Sequence, residues 1–533
     1  MGTTRNARKR GPTANQCLEY PLTEMLPPQM LRRLILYILF SIPCFGAQPN
    51  NTTEDLAESL TTLLKKQPEL LLGTMPADTA RHRAKVIQIK TREHILETTI
   101  LAMHGLKNGQ NRSESHYEIK SSWDISNGIE KIFALTHRTN TLSTSRGGVQ
   151  FHDVSGQTFN RTQSYVNEVA PDLGDWVERI QTIHGIDIGG WEGLAVGDVN
   201  GDRLDDLYLC QPGGLPNKMF IQAANQRMKD VSAISRTDWT DRTHAALLID
   251  YDNDGDQDLV TAMRNGVMFQ TNTGDAIFKD QWSVLMPEAT PYSLCAADYD
   301  EDGDLDVFAC AYNQRGTIRD QSLFAHPIPY HDATNGGRNI LLRNEGNGRF
   351  RDVTQSVGLN KENQRFSYAA SWEDYDRDGD LDLYVANDFG ANNLYRNEGG
   401  PGRLVQFTDV ARESGVRDIA AGMSVSWGDP NNDGHPDLYN GNMFSSAGTR
   451  VTDKTDFMPT AGPTTRKLYQ RHSRGNTLFS NQGDGRFNDI PNAGGAILGQ
   501  WAWSSLFCDV NNDGWEDILV ANGFITQSDS GDL

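Results

Sequence analysis

The chain has 533 residues, 50 glycines and 37% hydrophobic residues, which is enough for one large turn-rich domain and a smaller one beside it. Its formal net charge is −21, from 70 acidic and 49 basic residues. This acidic excess argues against nucleic acid as a partner, because binding to phosphates depends on lysine and arginine.

Residues 1–47 are predicted to be an N-terminal extension and signal peptide, or an anchor. The stretch MLRRLILYILFSIPCFGA from Met30 has two arginines, a short apolar run and small residues before a plausible cleavage point. This pattern predicts a secreted, periplasmic or cell-surface protein, and an uncleaved anchor is the membrane attachment it allows. Either Met1 or Met30 could be the start.

Residues 48–137 are predicted to be a small helical cap or stalk. Apolar residues recur at helical spacing in TTEDLAESLTTLLKKQPELLL and in DTARHRAKVIQIKTREHILETTILAMHGL. In the second stretch, Asp78 is a suitable N-cap and Gly105 lies at the end. We therefore expect two helices here, with their leucines and isoleucines used for packing.

Residues 138–533 contain six copies of an acidic nine-residue motif, such as DYDNDGDQD from Asp250. Each copy has Asp at positions 1, 5 and 9, Asp or Asn at position 3, and an aliphatic residue next. Carboxylates this close repel one another unless a cation neutralises them, and hard oxygen ligands at this spacing suit Ca²⁺. No copy has Glu at position 12, so the motif is not an EF-hand.

The predicted Ca²⁺ ligands are the side chains at positions 1, 3, 5 and 9 of the six loops. In chain order they are Asp198, Asn200, Asp202 and Asp206; Asp250, Asp252, Asp254 and Asp258; Asp298, Asp300, Asp302 and Asp306; Asp374, Asp376, Asp378 and Asp382; Asp429, Asn431, Asp433 and Asp437; and Asp509, Asn511, Asp513 and Asp517.

Two loops depart from the common pattern. Glycine at position 6 supplies a left-handed backbone in five copies, but Arg203 stands there in the first, which puts the geometry of that loop in question. The fifth loop carries fewer charges than its neighbours, so we expect weaker binding at Asp429, Asn431, Asp433 and Asp437.

Short apolar runs flank every loop, and a second motif of the type Phe-x-Asp-Val recurs after Asn/Gly turns such as NEGNG. Each unit is therefore strand, Ca²⁺ loop, strand, link, strand, turn, strand. Four-stranded units repeated in this way predict an all-β protein, a β-propeller with six or seven blades. The segment NTLSTSRGGVQFHDV from Asn140 matches the later turn units, so we expect N-terminal strands to close the last blade.

The six loops and the NxGxGxFxDV turns resemble the FG-GAP/VCBS repeat propellers, and within them the cartilage acidic protein family, which often ends in an ASPIC/UnbV domain. The resemblance covers roughly residues 140–533, and the ASPIC/UnbV domain of that family is missing from this sequence. It implies an extracellular, calcium-binding and usually non-catalytic propeller.

The long links between repeats are the candidate ligand-binding segments, because the propeller topology places them opposite the Ca²⁺ loops. Residues 443–475 carry Arg466, Lys467 and Arg471 in a locally basic segment, which predicts binding to an extracellular polysaccharide or an acidic protein surface. The expected function is thus adhesion or ligand binding.

The alternative function is a calcium-dependent polysaccharide lyase or hydrolase on the same face. Its acid and base candidates are His326, Tyr330 and His331, which match no known catalytic motif. The tryptophans that precede the loops have two interpretations as well. Trp191, Trp372, Trp427 and Trp503 either pack the core or stack on sugars.

Overall fold

The structure is a computed structural model that describes residues 57, 60–64, 79–92, 95–108, 111–124, 131–145, 152–159, 162–171, 192–314, 327–346, 348–399, 404–490, 496–499 and 501–522. All of these residues belong to one compact unit, Thr52–Leu533. The predicted signal segment lies outside the described residues. Among the helices of the described ranges, none has the length and apolar character needed to cross a membrane.

The segment predicted to be a helical cap is mainly a β-sheet. Its four antiparallel strands are β1 (Thr79–Arg92), β2 (Ile95–Asn108), β3 (Asn111–Asp124) and β4 (Lys131–Ser145), in that order across the sheet. Ala57 and residues 60–64 are helical, as expected for the first stretch, and Leu60 and Leu64 are fully buried in the core of this sheet.

The second predicted helix, which began at Asp78, is wrong, because its residues form β1 and β2. Every second residue of β2 from Leu96 to His104 is buried, which is the period of a strand whose alternate side chains face one core. The β-branched run at Thr98, Thr99 and Ile100 also favours a strand.

The predicted closure of the last blade by N-terminal strands is also wrong for the residues that the structure describes. Asn140–Ser145 belong to β4 and pair with Arg112–Tyr117 of β3. A turn-like sequence indicates that a strand is near but does not choose its partner, and β3 provides a long antiparallel neighbour nearby in the chain. Residues 146–151 lie outside the described residues.

The repeats form five four-stranded antiparallel sheets and one two-stranded sheet. Their strands are β5 (Leu194–Gly197), β6 (Asp206–Leu209), β7 (Lys218–Gln222) and β8 (Met228–Asp230); β9 (Thr243–Ile249), β10 (Asp258–Met263), β11 (Gly266–Asn272) and β12 (Phe278–Leu285); β13 (Ala289–Ala297), β14 (Asp306–Gln314), β15 (Ile340–Asn344) and β16 (Phe350–Asp352); β17 (Ser367–Glu373), β18 (Asp382–Asn387), β19 (Asn393–Asn397) and β20 (Phe407–Asp409); β21 (Gly422–Gly428), β22 (Asp437–Asn442), β23 (Thr477–Asn481) and β24 (Phe487–Asp489); and β25 (Ala502–Cys508) and β26 (Asp517–Asn522).

After β4, the helical segments of the described residues lie in the links. Two helices lie between β22 and β23, namely α1 (Ser446–Thr452) and α2 (Pro463–His472). Single helical turns occur at Ser155–Thr158, Tyr165–Val169, Ser232–Ser235 and Ala496–Gly499.

The sheets are built as the repeats predict. In each sheet an acidic loop joins the first strand to the second, and in the complete sheets the Phe-x-Asp motif or its equivalent begins the fourth strand. The first strands of consecutive sheets contact each other in series from β5 to β25, and apolar cores fill the space between neighbouring sheets. This all-β arrangement is propeller-like.

Candidate functional site

Each acidic loop is closed by its own carboxylates. In the fourth loop the backbone N–H groups of Asp378 and Gly379 donate to Asp374 at 3.1 Å each. The Asp378 carboxylate in turn accepts the backbone N–H of Asp380 at 3.3 Å. The same bonds recur in the other five loops, so positions 1 and 5 hold the backbone in a tight turn.

The loops need a left-handed backbone at positions 4 and 6, and all six adopt it. Arg203 takes this conformation at position 6 with φ 69°, and its N–H donates to Asp198 at 2.7 Å. The substitution of arginine for glycine therefore leaves the backbone of the first loop intact, at the steric cost that a side chain meets there.

The aspartate at position 9 connects the loop to the third strand of its sheet. The Asp382 side chain is fully buried and accepts the backbone N–H of Asn397 at 2.8 Å. Four other loops make the same bond at 2.7 to 2.8 Å, through Asp206, Asp258, Asp306 and Asp437. This carboxylate therefore joins the loop to a strand that lies 14 to 44 residues away in the chain.

Several carboxylate oxygens in the loops are buried and accept no hydrogen bond from any described residue. They are Oδ1 of Asp252, Asp300, Asp376 and Asp380, and Oδ2 of Asp306 and Asp382. Leaving such an oxygen unpaired costs free energy, so a ligand is expected to satisfy it.

Three loops bring their carboxylates together in a way that fits Ca²⁺. One oxygen from each member of a set lies within 4.8 Å of the others in three sets: Asp250, Asp252 and Asp254; Asp298, Asp300 and Asp302; and Asp374, Asp376 and Asp382. Two Ca²⁺–oxygen bonds of about 2.4 Å span the same distance. The residues present therefore fit a hard cation with oxygen ligands.

Electrostatics point in the same direction. Burial raises the pKa of the position 9 carboxyls to about 7 for Asp258, about 8 for Asp306, about 9 for Asp382 and about 6 for Asp437. Neighbouring carboxylates of the same loop add to each rise. A bound cation would reverse the repulsion and keep these groups ionised.

The loops with Asn at position 3 differ from the all-aspartate loops, and in the first of them the Asn200 amide donates to Asp202 at 3.2 Å. In the other two the amide reaches position 9. The Asn431 side-chain amide donates to Asp437 at 3.3 Å, and the Asn511 amide donates to Asp517 at 3.4 Å. These donors partly satisfy carboxylates that a cation would otherwise bind. The sequence-based expectation of weaker binding in the fifth loop stays a prediction, and the same reasoning now extends it to the sixth.

Sequence reasoning missed the asparagine that ends the third strand. The Asn344 amide donates to the carbonyl of Tyr251 in the preceding loop at 2.7 Å, and the Asn481 amide reaches that of Tyr375 at 2.9 Å. Asn272 and Asn397 make the equivalent bonds. The recurrence of this residue before each Gly turn was the available signal, but it looked like turn chemistry alone.

The predicted basic ligand-binding residues have different surroundings. Arg471, on α2, donates to the fully buried Asp418 at 2.9 Å, and Arg466 donates to the Lys454 carbonyl at 2.7 Å. Lys467 is exposed on the same helix. Arg471 is thus engaged in holding a buried carboxylate.

Two of the three predicted acid and base candidates, Tyr330 and His331, lie in a cluster of aromatic side chains. The ring centroid of Tyr330 is 5.1 Å from Phe389 and 5.2 Å from His472, and the ring of His331 is 5.2 Å from Tyr469. Burial raises the pKa of Tyr330 above its usual range, which makes it a poor base. His326 lies outside the described residues.

The tryptophans near the loops pack against aromatic neighbours. Trp372 lies 6.1 Å from Tyr299, Trp427 lies 6.4 Å from Tyr375, and Trp503 lies 6.0 Å from Tyr368, measured between ring centroids. Trp191 lies outside the described residues. Core packing therefore accounts for Trp372 and Trp427.

A profile of the FG-GAP-like repeat matches the chain five times, over just more than half of its length. The matched residues are 198–261, 250–309, 333–385, 374–439 and 468–520. The chain belongs to the FG-GAP-like repeat family. Each match covers an acidic loop and the second strand of a sheet, so the family pattern coincides with the loops described above.

No curated protein matches the FG-GAP-like repeat chain in sequence. Among solved structures, it is similar to an Agrocybe aegerita lectin described for specific recognition of non-reducing terminal N-acetylglucosamine. The two share 16% identity with a TM-score of 0.36, over 61% of this chain and 72% of the lectin.

Proposed function

We propose that the chain is a secreted or surface-exposed FG-GAP-like repeat protein that binds Ca²⁺ in its acidic loops and acts as a non-catalytic ligand-binding or adhesion module. The observation that carries the calcium proposal is the set of buried loop oxygens without a hydrogen-bond partner among the described residues. Within the family, the loop and turn motifs favour a place beside the cartilage acidic proteins.

Calcium has a structural role in this proposal. The position 9 carboxylate contacts both the loop and the third strand, so an ion bound to it would tie three strands of a sheet together. If free Ca²⁺ is ten times the Kd of a loop, binding stabilises the folded state by about 1.4 kcal/mol at that loop. Several loops together would supply as much as the whole stability of an ordinary domain, which is about 5–15 kcal/mol.

The chemistry of the loops and the predicted signal segment support the proposed extracellular location. Extracellular calcium modules work with Kd values of about 10⁻⁴–10⁻³ M, which the cytosolic Ca²⁺ concentration would leave empty. Six shallow loops on a protein with net charge −21 suit that environment.

The proposed ligand is an extracellular polysaccharide or protein, and the structure favours a hydroxyl-rich surface over an anionic one. Arg471 and Arg474 both form ion pairs, with Asp418 and with Asp489 at 2.9 and 2.8 Å. These pairs neutralise much of the basic character that made residues 443–475 attractive for anions. Lys467 keeps its exposure and remains the candidate contact of that segment.

Calcium titration of the full chain tests the proposal. We expect the thermal unfolding midpoint to rise by several degrees from metal-free buffer to 2 mM Ca²⁺, and much less with Mg²⁺, which prefers a stricter octahedral geometry. A triple variant, Asp374→Asn with Asp376→Asn and Asp382→Asn, should lose part of the rise, while Asp205→Asn, an exposed carboxyl outside the ligand positions, should keep it. A midpoint that does not respond to Ca²⁺ in the parent protein would contradict the proposal.

A further inference from the structure

A distinctive residue stands at one shared position of the six repeats, on the first strand of five repeat sheets and just before β5 in the remaining one. This position lies six residues before the first aspartate of each loop. We call these six residues the inner cluster: Glu192, His244, Tyr292, Tyr368, Met423 and Trp503. Equivalent positions of a repeat usually hold similar packing residues. Here four of the residues have aromatic rings, one is a glutamate and one is a methionine, so the position is not a uniform core site.

The inner cluster converges although its members come from different sheets. The rings of His244 and Tyr292 stack with centroids 4.3 Å apart, and Tyr292 lies 6.0 Å from Tyr368. Tyr368 is also 6.0 Å from Trp503, whose sheet is two repeats further along the chain. Burial raises the pKa of Tyr368, and the neighbouring Tyr292, Asp388 and Glu192 add to the rise.

His244 has an unsatisfied imidazole in this cluster. Its side chain is buried, with the residue 2% exposed, and neither Nδ1 nor Nε2 has a hydrogen-bond partner among the described residues. Burial, and then the charge of Arg242, lower its pKa to about 3, so the ring is neutral and offers one donor and one acceptor. A buried ring without partners costs free energy that a polar ligand would recover.

A carboxyl group borders the same cluster. The Tyr312 hydroxyl donates to Oδ2 of Asp388, and the Tyr312 ring lies 4.9 Å from Tyr292 and 5.8 Å from Tyr368. Asp388 is 7% exposed. The Tyr292, Tyr368 and Trp503 side chains are half-buried, so they keep surface that a ligand can cover.

The charges around the cluster select a neutral ligand. The carboxyl groups of Asp388 and Glu192 disfavour an anion, and the positive charge of Arg242, which adds to burial in lowering the pKa of His244, disfavours a cation beside that ring. Aromatic faces together with neutral donors and acceptors suit a molecule that has both C–H surfaces and hydroxyl groups.

We propose that the inner cluster binds a neutral sugar residue of an extracellular glycan. The sugar ring packs on Tyr368 and Trp503, and its hydroxyl groups exchange hydrogen bonds with His244 and Asp388. This inference rests on the proposed function and names the ligand class of that module.

The test uses the full chain in 2 mM Ca²⁺ with a panel of neutral probes: the methyl glycosides of glucose, galactose, mannose and N-acetylglucosamine, and their β-linked disaccharides. Saturation-transfer NMR and tryptophan fluorescence measure binding. We expect at least one probe to bind with a millimolar Kd. We expect His244→Phe, which keeps the stacked ring and removes both nitrogens, to weaken it at least tenfold, and Tyr368→Ala to abolish it.

The matched control is Tyr469→Ala, a half-buried tyrosine on α2 outside the cluster, which should bind the probe as the parent does. The inference is overturned if no neutral probe binds below 100 mM, if His244→Phe and Tyr368→Ala bind as the parent does, or if tetramethylammonium binds where the sugars fail. If either variant fails to fold, iodide quenching of tryptophan fluorescence in the parent protein replaces it. Bound sugar should protect Trp503 from iodide, and a lack of protection overturns the inference.

The thermal midpoint in Ca²⁺ separates this inference from the proposed function. A midpoint that rises with Ca²⁺ while no sugar binds overturns the inference alone. If sugar binding depends on the inner cluster but the thermal midpoint does not respond to Ca²⁺, the inference is supported and the calcium role is overturned.

Discussion

Asp382 shows how a single carboxylate can be unfavourable in the metal-free fold and favourable in the metal-bound one. It is fully buried, one of its oxygens has no hydrogen-bond partner among the described residues, and burial raises its pKa to about 9. Folding without metal therefore forces the group to take up a proton that an unfolded aspartate would have released at neutral pH.

The substitution Asp382→Asn should consequently stabilise the metal-free protein by at least about 1 kcal/mol, because asparagine needs no proton to be neutral. It should also remove the stabilisation that Ca²⁺ binding to one loop provides, which is about 1.4 kcal/mol when free Ca²⁺ is ten times the Kd. Urea unfolding in metal-free buffer and in 2 mM Ca²⁺ measures both effects.

The exposed Asp205→Asn serves as the control for Asp382→Asn, since it removes a charge at position 8 of the first loop without touching positions 1, 3, 5 or 9. It should change neither the metal-free stability nor the Ca²⁺ increment by more than about 0.5 kcal/mol. If Asp382→Asn retains the full Ca²⁺ increment of the parent, the fourth loop does not bind the ion through this residue.

The positions of the loop ligands could be predicted from the sequence because spacing alone determines which side chains share a tight turn. The hydrogen bonding of each oxygen could not, since it depends on whether a backbone N–H of the folded loop reaches that oxygen. Asp206 and Asp306 occupy the same position of the motif, yet only Oδ2 of Asp306 lacks a partner, because the first loop donates the Val199 N–H to its own position 9 at 3.1 Å.

At the scale of single elements, the asparagine that ends the third strand in four of the repeat sheets acts as a clamp between neighbouring sheets. The Asn344 amide donates to the carbonyl of Tyr251 at 2.7 Å, and its Oδ1 accepts the backbone N–H of Gly346 at 3.1 Å. The residue is 1% exposed, so water cannot replace these bonds.

We expect Asn344→Ala to destabilise the protein by about 2–3 kcal/mol, because it leaves buried backbone groups unsatisfied on two sheets. Asn225→Ala, which removes an exposed turn asparagine, should cost less than about 1 kcal/mol. Urea unfolding in Ca²⁺ compares the two. Equal losses would show that the bond between sheets contributes nothing beyond an ordinary turn.

The helix α2 offers a second comparison within one element. Arg471 pairs with the buried Asp418, which also accepts from the Thr477 hydroxyl at 2.8 Å, whereas Lys467 is exposed. Arg471→Met should cost about 3 kcal/mol or more, because it leaves a buried charge without its partner. Lys467→Met should stay within about 0.5 kcal/mol of the parent.

Thermal or urea unfolding measures the stability of Arg471→Met and Lys467→Met. The double variant Arg471→Met with Asp418→Asn provides the internal check. Removing both charges should restore part of the lost stability, because no uncompensated carboxylate remains. If Arg471→Met alone leaves the stability unchanged, the ion pair with Asp418 contributes little and Arg471 is again a candidate contact for a ligand.

The errors of element prediction have a physical origin. A run such as ILETTILAMHG fits a helix and a strand about equally, since apolar residues are frequent enough to satisfy both periods. The neighbouring strands decide, because β2 pairs with β3 along its whole length and with β1 from Ile95 to Leu106. Such pairing is a non-local property that a single segment does not contain.

At the scale of the whole molecule, repetition made the sheets predictable. Loop, strand and turn signals recur together, so each weak signal was confirmed by its copies, and the family assignment rests on the same residues. The inner cluster was not predictable in this way. Its members share no common residue type across the repeats, and only the packing of first strands against each other brings His244, Tyr292 and Tyr368 together.

The loops also give the whole molecule a defined response to pH. Unfolded aspartate titrates near 3.8, whereas the folded-state pKa is about 6 for Asp437, 7 for Asp258, 8 for Asp306 and 9 for Asp382. Between about pH 4 and 9 the metal-free folded state therefore binds more protons than the unfolded state, and the free energy of unfolding falls as the pH rises.

We expect the thermal midpoint of the metal-free protein to be highest near pH 5 and to decrease through pH 7 to pH 9. In 2 mM Ca²⁺ the ion keeps the carboxylates ionised, so the decrease should disappear and the Ca²⁺-induced shift should grow with pH. Midpoints measured at pH 5, 7 and 9 after passage over a chelating resin, with and without added Ca²⁺, test this directly. A metal-free midpoint that rises from pH 5 to 9 would mean that the buried loop carboxylates are not the groups that dominate the stability of this fold.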